Sequence, residues 1–255
     1  MDLGLQDRTY IVSGGSTGLG RATAEILVAE GAHVVVIARR PDAVEEAVIH
    51  LGDRARGMSA DLADPQAAAS SVSFAIDQFG RLDGALISVG GPPAGSVMST
   101  TDETWQSAFS TVFLGSLRMA RETCSGIRAS GVIGGSLAFV LSTSAVEVFP
   151  GLTTSNGLRP GLGMLVKDLA DEVGPEGIRV NGLLPGRIAT ARLASLDEAT
   201  GDPAAARARA GAAIPLRRYG EPEEFGRAAA FVLSPAASYM TGSLVRVDGG
   251  VTRSL

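Results

Sequence analysis

A glycine-rich stretch near the start of the chain has the residue types and spacing of a phosphate-binding loop. The sequence SGGSTGLG occupies residues 13–20, between a short apolar strand and an amphipathic helix. Its glycines let the backbone turn tightly and approach a pyrophosphate, and the start of the following helix offers free N–H groups and a positive dipole end. The stretch therefore predicts a dinucleotide site, with a simple tight turn as the alternative. The predicted contact residues are Gly14, Ser16, Gly18, Leu19 and Gly20.

The end of the second apolar strand indicates which dinucleotide would bind. The strand AHVVVIARR ends in Ala38, Arg39 and Arg40. An acidic residue at its end would accept hydrogen bonds from the ribose hydroxyls of NAD, and none is present. Guanidinium groups bind phosphate well, so Arg39 and Arg40 favour NADP(H), whereas NAD(H) stays possible. The alternative is that both arginines belong to a solvated surface turn.

The elements that must position these residues alternate along the chain between apolar runs and amphipathic stretches. Such alternation implies parallel strands joined by right-handed crossovers. The predicted fold is α/β: a single-domain, Rossmann-like doubly wound sheet with helices on both faces. After the first two strands and helices, further strands are predicted near 55–59, 82–88, 136–142, 178–184 and 244–247. Further helices are predicted near 65–79, 103–130, 160–174 and 222–233.

One Ala-rich segment, residues 190–213, interrupts this alternation. Its composition predicts a helical insertion or a lid over the substrate. No linker is long enough to separate two domains, so residues 1–255 are predicted to form one dinucleotide-binding domain.

Composition and charge argue against several classes of protein. The net charge is −5 and no long basic run exists, which argues against nucleic-acid binding. No apolar run is long enough to span a membrane, and the N-terminus lacks the pattern of a signal peptide, so a cytoplasmic protein is expected. The one cysteine and two histidines are not at metal-ligand spacing, so no metal site is expected.

The spacing Gly-x-x-x-Gly-x-Gly begins a resemblance to the short-chain dehydrogenase/reductase family. Asp61 and Leu62 stand after the third strand, where the family has an Asp that contacts adenine. RLDGALISVGG, which includes Gly90, is similar to the family's Asn-Asn-Ala-Gly strand. GIRVNGLLPGRIAT resembles its sixth strand and Pro-Gly turn, and YMTGSLVRVDGG its last strand. The resemblance runs nearly end to end.

This resemblance implies a sheet of seven parallel strands, with the dinucleotide across their carboxyl ends. It also implies that four residues flank the nicotinamide: Pro185, Gly186, Ile188 and Thr190. Family members are commonly homotetramers or homodimers in which helices equivalent to 103–130 and 160–174 pack against their copies.

The family's catalytic residues are changed at three of four positions. Ser142 falls on the serine that holds the substrate oxygen, but Ser155 falls on the proton-transferring tyrosine, Arg159 on the lysine and Val112 on an asparagine. A serine hydroxyl is a far weaker acid than a phenol and is shorter. A guanidinium does not give up its proton, so Arg159 could hold the ribose but could not relay a proton. The motif Ser-Asn-x-x-Arg resembles a divergent branch of the family.

Several further residues are candidates for the site. Glu147 and Asp102 are carboxylates that could supply a proton. An apolar substrate pocket is expected from Met98, Val148, Phe149, Leu152 and the 190–213 segment. Because Pro160 disfavours a helix interior, the helix at 160–174 is expected to start late or to bend at its first turn, with Ser155 or Asn156 as N-cap.

The function predicted from these observations is an NADP(H)-dependent oxidoreductase acting on a small, mostly apolar carbonyl or conjugated alkene. Two alternatives remain: a cofactor-binding protein or sensor without turnover, and a non-redox enzyme that reuses the pocket. For an active enzyme, Ser155→Ala is expected to cost little, Arg159→Ala to weaken NADPH binding and Ser142→Ala to reduce turnover.

Overall fold

The computed structural model describes residues 1–254 as one α/β domain built on a sheet of seven strands, all parallel. The strand order is β3-β2-β1-β4-β5-β6-β7, with a change of direction between β1 and β4. This order places the crevice for a ligand at the carboxyl ends of β1 and β4. The strands are β1 Thr9–Ser13, β2 His33–Ala38, β3 Ala55–Ser59, β4 Gly84–Ile87, β5 Gly135–Val140, β6 Ile178–Pro185 and β7 Leu244–Val247.

Helices cover both faces of the sheet and divide the core into two layers. On one face α1, α2 and α9 bury apolar side chains against β1 and β2, and on the other α3, α5 and α6 pack against β4 and β5. The predicted fold class is therefore confirmed. The helices are α1 Gly18–Ala29, α2 Pro41–Leu51, α3 Ala67–Phe79, α4 Asp102–Ala108, α5 Gly115–Ala129, α6 Thr153–Val173, α7 Ala191–Glu198, α8 Pro203–Ala213 and α9 Pro222–Leu233.

The long helix predicted near 103–130 is interrupted by a π-helical segment, Phe109–Leu114, between α4 and α5. Single π turns inside α-helices occur frequently at functional sites, because the extra residue displaces backbone and side chains locally. Here the segment contains Thr111 and Val112, which both face the cavity described below.

Helix α6 starts earlier than predicted. It begins at Thr153 with Leu152 as its N-cap, and Pro160 lies inside it, so the expected late start with Ser155 or Asn156 as N-cap is wrong. Tertiary packing outweighs the cost of the proline, because the first two turns bury Ser155, Leu158 and Arg159 against the sheet.

The segment 190–213 forms two helices, α7 and α8, as the Ala-rich composition indicated. A buried group of polar residues fixes them to the domain. The Tyr219 hydroxyl lies 3.1 Å from Asp197 Oδ2, and Arg187 Nη1 lies 3.6 Å from Asp197 Oδ1. No helix within residues 1–254 combines the length and apolar character needed to cross a membrane.

Candidate functional site

A cavity of about 870 Å³ opens at the carboxyl ends of the strands. Loops that follow β1, β2, β3, β4, β5 and β6 line it, together with α4, the π-helical segment, α6 and α7. Every residue predicted above to contact the cofactor lies on this one cavity, as do Ser142, Ser155 and Arg159. Their individual roles remain predictions.

The glycine loop forms one wall, and its backbone leaves no room for side chains. A Cβ at Gly20 would lie 2.2 Å from the Gly14 carbonyl oxygen, and one at Gly14 would lie 2.8 Å from the Ser88 carbonyl oxygen. The Ser13 hydroxyl holds the loop against β4, because it accepts from Ser88 N at 2.9 Å and donates to Ser88 O at 3.0 Å. Helix α1 starts at Gly18, so its first N–H groups face the cavity. This arrangement suits a phosphate group.

Arg39 and Arg40 follow β2 at one end of the cavity. Both are exposed, and Arg40 makes only a long ion pair with Asp42, at 3.7 Å. Arg39 forms no ion pair with any residue in the described part of the chain. Asp61 and Leu62 lie beside them after β3, where the Asp61 carboxylate accepts from Ala63 N.

The loop after β6 lies towards the opposite end of the cavity. Gly186 packs against β7, where its N–H donates to Val247 O, and a Cβ at this position would lie 2.7 Å from Asp248 Cα. Ile188 pairs with Gly220, and the Thr190 hydroxyl caps α7 by accepting from Leu193 N. Gly90 stands on the neighbouring loop after β4, where a Cβ would meet open space.

Three serines form a connected group at the end of β5. Ser142 Oγ accepts from Ser144 N at 3.1 Å, and Ser144 Oγ lies 2.8 Å from Ser155 Oγ. Ser144 and Ser155 are 3% and 5% exposed, and Ser144 Oγ has no other partner among residues 1–254. Either hydroxyl of the Ser144–Ser155 pair can be the donor. The proton of Ser142 is free to turn towards the cavity, and the proton of Ser155 is free to do so when Ser144 donates.

Arg159 lines the same cavity as Ser142 and Ser155 and is only 4% exposed. Its Nη1 donates to the Val140 carbonyl oxygen at 2.5 Å, whereas its Nε has no partner. Burial, aided by the positive charge of Arg192, lowers the pKa of Arg159 to about 10, so the side chain is still charged at neutral pH. No carboxylate within residues 1–254 pairs with this buried cation.

No tyrosine or lysine of residues 1–254 lines the cavity. The Tyr10 hydroxyl is buried and donates to Leu233 O, the Tyr219 hydroxyl bonds Asp197, and Tyr239 is fully exposed. Lys167, the only lysine of the sequence, lies on the exposed side of α6 near Asp171. Among residues 1–254, no tyrosine phenol and no lysine ammonium group therefore reaches the cavity.

Asn156 has a structural contact instead of the capping role considered above. Its amide group pairs with the backbone of Phe149, accepting from Phe149 N and donating to Phe149 O, both at 2.9 Å. This pair fixes the loop between β5 and α6. Because both hydrogen bonds need an amide side chain, they explain why residue 156 is an asparagine.

Several residues proposed for the substrate pocket and for proton supply lie elsewhere. Met98 and Val148 are 96% and 81% exposed and do not line the cavity, and the ring of Phe149 packs 5.6 Å from the Arg187 guanidinium. Glu147 accepts from the backbone of Arg253 and Ser254. The sequence placed these residues on loops near the site, but it did not determine the direction of their side chains. Asp102 also lies off the cavity, whereas Leu152 does line it.

The structure adds two charged residues that sequence reasoning missed. Glu103, next to the proposed Asp102, lines the cavity, and hydrogen bonds from its own backbone and from Thr101 hold the pKa of its carboxyl below the usual value. Arg192 on α7 also lines it. The position of Arg192 two residues after Thr190 was a usable signal, because the loop after a parallel strand reaches the ligand crevice.

Comparisons with known proteins agree on the family. Residues 14–252 match the family described as enoyl-(acyl carrier protein) reductase. The short-chain reductase protein NovJ of Streptomyces niveus is 32% identical over 250 residues, which cover 96% of this chain and 94% of the relative.

Solved structures resemble the chain over nearly its full length. L-sorbose reductase from Gluconobacter frateurii, complexed with NADPH and L-sorbose, has a TM-score of 0.95 and 31% identity, with complete coverage of both chains. An NADPH-bound short chain oxidoreductase from Pseudomonas aeruginosa PAO1, described as containing an atypical catalytic center, has a TM-score of 0.90 and 28% identity, covering 97% of this chain and 98% of that one. The chain therefore belongs to the short-chain dehydrogenase/reductase family of oxidoreductases.

Proposed function

We propose that the protein is an NADP(H)-dependent reductase that acts on a carbonyl or a conjugated alkene without a tyrosine–lysine proton relay. The observation that carries this proposal is the composition of the cavity. It combines a glycine cradle and an unpaired Arg39 with three hydrogen-bond donors, Ser142, Ser155 and Arg159. The motif that contains Ser155, Asn156 and Arg159 would place the chain in the divergent branch of the family. The atypical catalytic center of the Pseudomonas aeruginosa neighbour supports the existence of such sites in this fold.

The residues at the β2 end fit a 2′-phosphate. Arg39 is exposed on the cavity and has no carboxylate partner in the described chain, and Ala38 leaves no acid to repel the phosphate. The glycine cradle, which any Cβ at Gly20 would fill, fits a pyrophosphate. NADPH, when bound, would supply the hydride. The NADPH complexes among the structural neighbours support this choice, and NAD(H) is the weaker candidate.

The serines and Arg159 would stabilise the negative charge that develops on the substrate oxygen. Ser142 has a hydroxyl proton free for the cavity, Ser155 has one when Ser144 is the donor of their shared hydrogen bond, and Arg159 keeps its charge at neutral pH. Donors held in place before the reaction stabilise an oxyanion strongly, because they need no reorganisation. None of the three transfers a proton in this proposal.

A conjugated alkene fits this set of donors better than an isolated ketone. Addition of hydride to the alkene leaves an enolate, whose charge is delocalised and can wait for a proton from water. Addition to a ketone leaves an alkoxide, a much stronger base that needs a proton at once. Glu103 is ionised at neutral pH and cannot supply that proton.

Helices α7 and α8 would act as a lid over the substrate. Arg192, Leu193 and Leu196 of α7 line the cavity, and α7 is joined to β6 by the short loop through Thr190. A homotetramer or homodimer is proposed as the assembly, since Phe109 and Met164 leave apolar surface exposed on the α4–α6 side. Light scattering on the purified protein tests the assembly.

The experiment that tests the function is NADPH oxidation by the purified protein with matched enones and ketones, for example cyclohexenone and cyclohexanone. The expected result is oxidation with the enone and little with the ketone. A rate equal to that of heat-inactivated protein on a broad panel of both classes would contradict the proposal.

Titration by NADPH and NADH fluorescence tests the cofactor separately. We expect tighter binding of NADPH, and a loss of about tenfold in this preference in Arg39→Ala, the loss expected for one charged hydrogen bond of about 1.4 kcal/mol. Arg209→Ala, which removes an exposed arginine away from the cavity, is the control. Equal affinities in the wild-type protein would contradict the assignment of NADP(H).

A second candidate function is cofactor binding without turnover, as in a sensor. It is favoured by one observation: among residues 1–254 the cavity lining contains no tyrosine, lysine, histidine or cysteine. Tight NADPH binding combined with no oxidation on the substrate panel would support this candidate over the reductase.

A further inference from the structure

Besides Arg39, the cavity holds two guanidinium groups, Arg159 and Arg192, that have no anionic partner among residues 1–254. Two other arginines that are partly buried have their partners within the protein. Arg187 pairs with Asp197, and Arg179 donates to four backbone carbonyls. Buried cations without a partner are costly, so an unpaired one beside a cavity indicates that a ligand supplies the missing charge.

Arg159 is the buried member of the pair. It is more than nine-tenths buried and lines the cavity, and its Nε meets no acceptor. The like charge of Arg192 acts on it and disfavours its charged form further. An anion bound at this end would remove both the missing contact and the repulsion.

Arg192 is the exposed member and lies across the mouth of the cavity. From α7 its Nη2 donates to the Pro92 carbonyl oxygen at 2.6 Å, on the loop after β4. It lies flat on Gly91, where a Cβ would come within 2.5 Å of Nε. A neutral carbonyl is a weaker partner for a guanidinium than a carboxylate, so Arg192 is free to exchange it for an anion.

Both arginines lie away from the residues proposed to hold the adenosine. Arg39 and Asp61 follow β2 and β3 at one edge of the sheet, whereas Arg159 contacts β5 and Arg192 joins the loops of β4 and β6. Glu103 is the carboxylate that lines this end, and it forms no ion pair with either arginine.

We propose that Arg159 and Arg192 form an anion-binding subsite at the substrate end of the cavity, which selects substrates that carry a carboxylate next to the reacting enone. This inference rests on the proposed reductase function. Arg192 binds the carboxylate at the mouth, and Arg159 faces the oxygen on which charge develops. The same chemistry is present in the pyrophosphate of the cofactor, so the test must separate these two sources.

The test compares 4-oxo-2-pentenoate with its methyl ester on the complete protein, in the wild type and in Arg192→Gln. We expect the wild type to prefer the acid by at least tenfold in kcat/KM. In Arg192→Gln, kcat/KM should fall at least tenfold more for the acid than for the ester, so that the preference is lost, while the affinity for NADPH changes less than twofold. Arg209→Gln, with the same loss of charge on the neighbouring helix α8, should behave as the wild type, and Arg192→Lys should keep part of the preference.

Two results would overturn the subsite. If Arg192→Gln weakens NADPH binding and slows acid and ester equally, the arginine serves the pyrophosphate. If the wild type turns over the ester as well as the acid, no substrate carboxylate is recognised.

Calorimetric titration of both compounds into the protein saturated with NADP⁺ separates this proposal from the reductase function. Binding of the acid but not the ester, lost in Arg192→Gln, supports the subsite even where no turnover occurs. Failure of both compounds to bind, or equal binding of the two, counts against it.

Discussion

The two ends of the cavity are built in different ways. At the β1–β3 end the site consists mainly of backbone: glycines that exclude Cβ atoms and a helix start, with one exposed arginine. At the β4–β6 end it consists of side chains, namely hydroxyls and a buried guanidinium anchored to the carbonyl oxygen of Val140. The comparison teaches that backbone geometry defines one end of the cavity and side-chain chemistry the other, so the proposed departure from the family's proton relay concerns only the second end.

The largest effect is expected from the backbone end. Gly20→Ala places a Cβ 2.2 Å from the Gly14 carbonyl oxygen, which cannot give way without distorting the loop. We expect NADPH affinity to fall by about 100-fold, from a clash of about 3 kcal/mol. The control is Gly174→Ala, where a Cβ meets nothing within 4 Å. Fluorescence titration measures both, and unchanged affinity in Gly20→Ala would show that the loop does not form the cradle.

The side-chain end should show an asymmetry between two serines. Ser142→Ala removes the donor proposed to bond the substrate oxygen and should lower kcat by about 100-fold, as for other oxyanion donors. Ser155→Ala removes a hydroxyl that is hydrogen-bonded to Ser144, whose own hydroxyl remains in the variant. It should lower kcat by less than about tenfold. Steady-state kinetics on the same enone measures both. A loss of several orders of magnitude in Ser155→Ala, with NADPH affinity intact, would make Ser155 a proton-transferring group.

Arg159 should lower the free energy of unfolding of the ligand-free protein, although it is proposed to help bind the ligands. Its folded pKa, about 10, lies below the reference value of 12.5. The charged form is therefore disfavoured by folding, by about 3 kcal/mol. This cost is fully present below pH 10 and is lost as pH rises through and above that value. Arg159→Met should thus raise the melting temperature of the ligand-free protein by about 2–6 °C. The gain in free energy of unfolding is smaller than the full cost of about 3 kcal/mol, because the variant also loses the hydrogen bond to Val140.

Thermal unfolding at pH 6–9 measures this gain, which should be constant over that range. NADPH binding should weaken in the same variant. A melting temperature lower than that of the wild type at every pH would show that Arg159 stabilises the fold.

Sequence reasoning predicted the fold better than the site, for a physical reason. Buried strands such as HVVVIA and the glycine loop are dictated by local pattern, so β2 and the start of α1 lie where they were expected. Register within a known motif also placed Ser142, Ser155 and Arg159 on one cavity.

The errors come from long-range packing. Helix α6 continues through Pro160 because its first turns are buried. Met98 and Val148 lie on loops, and their side chains point into solvent and not into the cavity. Neither the Ser144–Ser155 bond nor the position of Arg192 across the cavity mouth follows from local pattern, since each joins separate elements of the chain.

The most direct test of the central claim is the pH dependence of kcat/KM between pH 7 and 9 with an active enone. In the proposed site Arg159 stays charged, Glu103 stays ionised and the serine hydroxyls stay neutral over this range. The account predicts a flat profile, because no group of the site changes its protonation state. A profile that rises or falls tenfold per pH unit within this range would reveal a titrating catalytic acid or base, and would contradict reduction without a proton relay.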